Sequence, residues 1–362
     1  MSGRALSSVY MHWAKNQQAV TYHLASSEVP HFALDRLPVT IADLELDGAS
    51  RHRFAPLRQA IAARQGVGVD TVVIANGTSM ANFLAMATLI APGDEVLVET
   101  PNYEPMVAAA SFLGARITTF ERKAETGFAL DPSAVATAIS SRTRLVLITN
   151  LHNPTSAFAG EAELRAVGAI AARHGARVLV DEVYLDAAFD AAPRSAALLG
   201  DTFVTTSSLT KVYGMSGIRC GWILADSELA ERMWRLNELF GVAQPHAAEQ
   251  LGILALEHLD TVKAPLPAHL ARNRALARDF LASRDDLEGE MPPYGIVAFP
   301  RWTGGDVDAL NDLLRGRYDT SIVPGRFFGA AEHFRFGIGG DAAMIEAGLA
   351  RLGDAMDELT RR

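Results

Sequence analysis

Between Asp70 and Leu224, short β-branched runs recur with longer amphipathic stretches between them, and this alternation constrains the fold more than any other feature. The runs lie at 71–74, 95–98, 115–120, 144–149, 176–180, 202–205 and 221–224. Strands separated by helical patterns need crossover connections, which produce a mostly parallel sheet covered on both faces. The spacing predicts helices over 80–90, 161–174 and 226–240. Ligands of such sheets gather beyond the carboxyl ends of the strands, so residues just after each run are the first place to look for chemistry.

After Gln244 the texture changes to long helical stretches at 246–258 and 267–283. Strands are expected at 295–300, 320–323 and 333–337, followed by a closing helix from Ala342. With 362 residues the chain exceeds the size at which one core usually keeps growing. The expected architecture is therefore α/β: a large domain with a mostly parallel seven-stranded sheet between helices, plus a smaller α+β domain. Its divisions are an arm over 1–45 that packs on the small domain, a large domain over 46–245 and a small domain over 246–362. The arm carries Val29-Pro30 and Leu37-Pro38 and little periodicity.

A formal charge of −9 disfavours a nucleic-acid partner, which would need clustered Lys and Arg. The one cysteine, Cys220, excludes an intrachain disulfide and a thiolate metal cluster within one chain, and fits a reducing, cytoplasmic setting with no metal centre. The first 17 residues hold no apolar run of signal length, and no stretch of about 18 consecutive apolar residues occurs, so no membrane association is expected.

The chemistry-bearing residues follow the runs. Ser208-Leu209-Thr210-Lys211 lies just after 202–205 and continues to Gly217-Ile218-Arg219. A lysine in this small-residue setting can form an imine with an aldehyde, although a lysine taken alone reads as a surface charge. Ser208 and Arg219 bracket it with a hydroxyl and a guanidinium fork, the donors a phosphate needs. Together they suggest a phosphorylated aldehyde. Val180-Asp181-Glu182-Val183-Tyr184 delivers a carboxylate that can keep a pyridine nitrogen protonated, and a phenol that can donate to a ring oxygen. Asn153, before Pro154, offers an amide for the same oxygen. Gly77, Thr78 and Ser79 open a helix after another run, where backbone N–H groups and the helix dipole favour an anion. Tyr103 follows 95–98 and can stack on a planar ring; a core tyrosine is the rival reading.

These segments, in this order, resemble the class I/II aminotransferases of pyridoxal-5′-phosphate (PLP) fold type I, over residues 26–335. The resemblance implies PLP held as a Schiff base on Lys211, which then shuttles the proton, with Asp181 on the pyridine nitrogen. Asn153 and Tyr184 would bind the phenolic oxygen and Tyr103 would stack on the ring. Gly77, Thr78, Ser79, Ser208 and Arg219 would hold the phosphate. Arg335 would clamp the substrate α-carboxylate, and the Ser27 backbone would lie over the substrate. The implied reaction moves an amino group from an α-amino acid to a 2-oxo acid, in a homodimer with sites at the interface. A lyase, decarboxylase or cyclase on the same fold is the nearest alternative. A non-catalytic PLP-binding regulator fits less well without a basic DNA-binding module, and Gly214, Gly217 and Gly221 are in the wrong order for a dinucleotide fingerprint.

Two departures stand out. Ser156 occupies the place of a glycine usual after Asn-Pro-Thr, so the turn differs locally or its left-handed requirement is absent. The stretch 47–57 lacks the tyrosine that relatives send to the neighbouring subunit's phosphate, leaving Arg51, His52, Arg53 or Phe54 to line the site. His152, Tyr10, His12 and Trp13 are further substrate-contact candidates for which structural or surface roles are favoured.

Overall fold

The computed structural model describes residues 6–361; residues 1–5 of the expected arm and residue 362 lie outside them. All seven expected runs form strands: β1 (Val72–Asn76), β2 (Glu95–Thr100), β3 (Arg116–Glu121), β4 (Thr143–Thr149), β5 (Arg177–Asp181), β6 (Phe203–Ser208) and β7 (Cys220–Leu224). They make one sheet in the order β1-β7-β6-β5-β4-β2-β3. Strand β7 is antiparallel to β1 and β6, and every other neighbouring pair is parallel. Six carboxyl ends and the amino end of β7 therefore share one edge.

Alternating side chains explain why the central strands are apolar throughout. Leu145, Leu147 and Leu179 face one core, while Val146, Ile148, Val178 and Val180 face another. Helices Pro132–Ala138 and Glu161–Arg173 cover the second face with Val135, Leu164 and Val167; helix Gly77–Leu89 covers the first with Ala81, Leu84 and Ala85. A strand buried on both sides has no polar face to display. Edge strand β3 does, and its pattern is largely exposed.

Several boundaries differ from expectation. The helix predicted from residue 80 starts at Gly77, directly on β1, because Gly77 adopts a φ of 75° and turns the chain without a loop. The helix predicted to reach 240 stops at Asn237, whose carbonyl accepts from the amides of Phe240, Gly241 and Val242. In the C-terminal part, the run at 320–323 splits into Thr320–Ser321 and Val323–Pro324, and only Val297–Ala298 of 295–300 is paired. The three-stranded antiparallel unit has Phe334–Gly337 at its centre, with Val297–Ala298 and Val323–Pro324 on its flanks. Helices Leu266–Ala282, Val307–Arg317 and Ala342–Thr360 surround it.

The arm is tied to that unit. Tyr22–His23 pairs in parallel with Thr320–Ser321, and the Gly337 amide donates to the Leu24 carbonyl at 2.7 Å. Ahead of it, a helix not foreseen from periodicity spans Val9–Lys15. The Ser8 hydroxyl caps it by accepting from the Met11 amide and donates to the Glu104 carboxylate.

Candidate active site

At the shared edge of the sheet a cavity of about 410 Å³ gathers Ser27, Thr78, Ser79, Tyr103, Asn153, Asp181, Tyr184, Lys211 and Arg219. A larger opening of about 850 Å³, between residues 124–129, 155–158 and 288–294, contains none of the candidate residues. The concentration of convergent polar groups, rather than volume, marks the smaller one as the site.

Gly77, Ser208 and Arg335 lie behind the lining residues, against Arg219, Thr78 and Asn153 respectively. A Cβ on Gly77 would come within 2.4 Å of Arg219 Nη2, so glycine is what lets the guanidinium lie against the helix start. Arg219 donates to the carbonyls of Ser216 and Asn76, both at 3.1 Å. Ser208 Oγ accepts from Thr78 Oγ1 at 2.7 Å and lies 2.7 Å from Thr210 Oγ1. Three hydroxyls and a guanidinium thus converge on a helix N-terminus, which suits a phosphate.

Asp181, the last residue of β5, is buried. Its Oδ2 accepts from Asn82 Nδ2 at 2.7 Å and its Oδ1 from the Val183 amide at 3.0 Å. Burial pushes the carboxyl up to about 6 despite these donors. A cationic ring nitrogen would supply the missing countercharge. Lys211 donates from Nζ to Glu28 Oε1 at 2.8 Å. Its burial by itself lowers the pKa, but Tyr184 and Glu28 more than reverse this and the net direction is up.

Arg335, on the central strand Phe334–Gly337, is buried to 1% exposure. Nη1 donates to Asn153 Oδ1 and Nη2 to Tyr10 Oη, each at 2.9 Å, while Nε has no partner. Among the described residues, no carboxylate forms an ion pair with it. Asn153 is fixed in turn by its amide, which donates to Thr149 Oγ1 at 2.9 Å, and that hydroxyl donates to the buried Glu99.

The segment bearing Ser27 lies against glycines. A Cβ on Gly337 would meet the Ser26 carbonyl oxygen at 1.7 Å, and one on Gly339 the Glu28 carbonyl oxygen at 2.0 Å. Ser156 retains a φ of 60°, so the left-handed turn persists without glycine; its Oγ donates to the Val297 carbonyl at 2.8 Å and compensates the strain. Within one chain Arg51, His52, Arg53 and Phe54 lie away from this cavity, on the surface from which the resemblance would have them reach a neighbouring subunit's site. Arg53 is held by Glu231, His52 by Glu238 and Arg51 by Glu45, and Phe54 packs edge-on against His246. His152 Nε2 donates to the Pro101 carbonyl, Nδ1 pairs with Thr155, and burial lowers its pKa well below the usual range. Tyr10 lines the cavity, Trp13 packs on Phe327, and His12 is exposed.

The residue pattern alone missed Asn82, Thr210 and Glu28. Asn82 had a signal, as the one amide in the apolar stretch 80–90. Thr210 stood unassigned inside the lysine motif. Among the described residues no cluster of His, Cys, Asp or Glu could hold a metal, and no helix is long and apolar enough to cross a membrane.

A lysine, a buried carboxylate and a phosphate cup at the carboxyl edge of this sheet define a PLP-dependent enzyme of fold type I. The model of the family described as aminotransferase class I and II matches residues 24–352, and the chain belongs to that family. A capreomycidine synthase of Streptomyces vinaceus is 31% identical over 304 residues, covering 83% of this chain and 78% of the relative. An arginine–pyruvate transaminase of Pseudomonas aeruginosa is 31% identical over 301 residues, covering 78% and 75%. In fold, the chain is similar to a PLP-dependent aminotransferase from Streptococcus suis, with a TM-score of 0.91, 20% identity and 99% of both chains covered.

Proposed function

We propose that the chain uses this cavity to transfer the amino group of an α-amino acid to a 2-oxo acid, with Lys211 as proton carrier. The observation that carries the reading is Arg335, a buried guanidinium without a carboxylate partner among the described residues, held directly behind Asn153 and Tyr10, which line the cavity with Lys211 and Asp181. An unpaired buried charge is costly, and an α-carboxylate is the anion whose two oxygens match a guanidinium fork.

Asp181 would hold the cofactor's pyridine nitrogen, Asn153 and Tyr184 its phenolic oxygen, and Gly77, Thr78, Ser79, Ser208 and Arg219 its phosphate. When bound, PLP supplies the electron sink for charge developing at the substrate Cα. Tyr103, which lines the cavity, would stack on the ring. Arg335, held by Asn153 and Tyr10, orients the carboxylate and with it the Cα–H bond. Lys211 Nζ takes the Cα proton and returns it on the cofactor side. The Ser27 segment closes over the substrate.

In this reading residues 46–245 are the large domain, residues 246–362 the small one, and 1–45 the arm. The protein is a cytoplasmic homodimer with its sites at the interface. Support for a dimer comes from the exposed apolar residues Ile41, Leu46, Leu239 and Val242. The lone, buried Cys220 supports a reducing compartment.

Spectroscopy of the PLP-loaded protein tests the proposal. The visible band of the lysine-linked cofactor should be lost in Lys211→Ala. An amino acid should convert the wild type to the amine form of the cofactor with release of an oxo acid. Release of ammonia or carbon dioxide instead refutes transamination.

A further inference from the structure

Five charged side chains line the cavity: Lys15, Glu28, Asp181, Lys211 and Arg219. The role of Glu28 rests on the proposed reading of this cavity as a PLP-dependent amino-acid site, in which Asp181, Lys211 and Arg219 are already occupied. Lys15 ends the arm helix and is exposed at the rim, where water solvates it. Glu28 is different. Its carboxylate is 28% exposed and turned inward, with Oε1 on Lys211 Nζ at 2.8 Å and Oε2 accepting from Ser216 Oγ at 2.7 Å.

Its backbone is as firmly held. The adjacent Val29 amide donates to the Lys211 carbonyl at 3.0 Å, and Gly339 leaves no room for the Glu28 carbonyl to retreat. The carboxylate is thus a built feature of the cavity. Burial pushes it up, while Lys211 and Ser216 bring its pKa down overall, so it stays ionised.

That arrangement is incomplete once the cofactor occupies Lys211. Nζ then no longer carries three protons to give, and Glu28 keeps one hydroxyl donor for a full negative charge. A partly buried carboxylate in that position is stabilised by a cation. The amine that displaces Lys211 belongs to the substrate, which then shares the cavity with Glu28, so a cation on the substrate's side chain would have Glu28 to pair with. When Lys211 is released, a Glu28 still free to pair with it would hold Nζ as an ammonium, unable to accept the Cα proton. A cation already on Glu28 removes that competition.

We infer that Glu28 selects an amino acid with a cationic side chain, taking the substrate's guanidinium or ammonium in place of Lys211 Nζ. The site is thereby a reader of both ends of its substrate: Arg335 for the carboxylate and Glu28 for the distal positive charge.

Arginine and citrulline differ at the distal group by charge with nearly the same shape, and they are the probes. Calorimetry on the PLP-loaded protein reads their dissociation constants, and oxo-acid release reads turnover. Arginine should bind roughly 10- to 100-fold more tightly than citrulline to the wild type, as expected for a hydrogen bond to a charged group. Glu28→Gln should reduce that ratio to within about threefold while the visible cofactor band shows that the site is still assembled. Ser216→Ala, which leaves the carboxylate in place, should preserve the preference for arginine. Equal binding of the two amino acids by the wild type, or a preference that survives in Glu28→Gln, overturns the inference. Oxo acid released without any charge preference overturns it and leaves transamination standing. A charge preference lost in Glu28→Gln without oxo-acid release supports it and removes transamination.

Discussion

Asp181 shows how one buried group ties stability to cofactor binding. With its carboxyl raised to about 6 from an ordinary 3.8, the folded cofactor-free protein binds a proton that the unfolded chain has released. The resulting stabilisation, on the order of 3 kcal/mol at 1.36 kcal/mol per unit, is fully present below about pH 4 and is lost as pH rises through about 6. Thermal melts of the cofactor-free protein should therefore lose stability across that window, and Asp181→Asn should flatten the loss. PLP should also flatten it, by pairing the carboxylate with a ring cation. Asn82→Ala removes the donor that holds Oδ2 and should raise the Asp181 pKa further and weaken PLP binding about tenfold, as expected for a lost hydrogen bond to a charged group; equilibrium titration with PLP measures this. Lys211, Asp181, Asn153 and Tyr184 were legible in the sequence because each follows an apolar run in a recognisable motif. Glu28 was not, since its partnership with Lys211 spans 183 positions and leaves no local pattern.

At the scale of elements, legibility follows burial. The strands of the central sheet announce themselves because both faces are covered and nearly every side chain must be apolar. The two-residue pairings of the C-terminal unit are too short to carry a period, so their boundaries emerge only from tertiary contacts. The arm helix Val9–Lys15 is likewise set by the Ser8 cap, the Glu104 contact and the burial of Tyr10 against Phe327 and Phe328. Gly339 joins two of these elements, the Ser27 segment and the strand bearing Arg335. Gly339→Ala places a methyl 2.0 Å from the Glu28 carbonyl oxygen, so the segment must move off the cavity. The expected result is a KM for the amino acid raised about tenfold or more with the visible cofactor band retained, in line with the cost of overpacking. An unchanged KM would show that the segment does not cover the substrate.

For the whole molecule, Ile41 and Leu46, and Leu239, Phe240 and Val242, form two exposed apolar stretches with ion pairs at their flanks. Glu45 meets His246 and His52 meets Glu238, which brings the chain around 45–52 against the chain around 238–246. Leu239→Asp with Phe240→Asp should shift the sedimenting species from the proposed dimer to monomer and make activity fall on dilution; an unchanged mass would remove these stretches from the proposed interface. The arm adds a constraint of a different kind, on timing. The arm and its partner strand are 298 residues apart in the chain, as with Thr21 on Asp319 and His23 on Ser321, so a ribosome adding about 5–20 residues per second makes the arm wait roughly 15–60 s for it. By the end of that interval the sheet and Lys211 have been synthesised, yet Leu24 and Val29 have had no complete C-terminal unit to pack on, and Arg335 does not yet exist. The newborn chain therefore acquires its cofactor-binding residues well before the residue that would grip a substrate, and catalytic competence comes last.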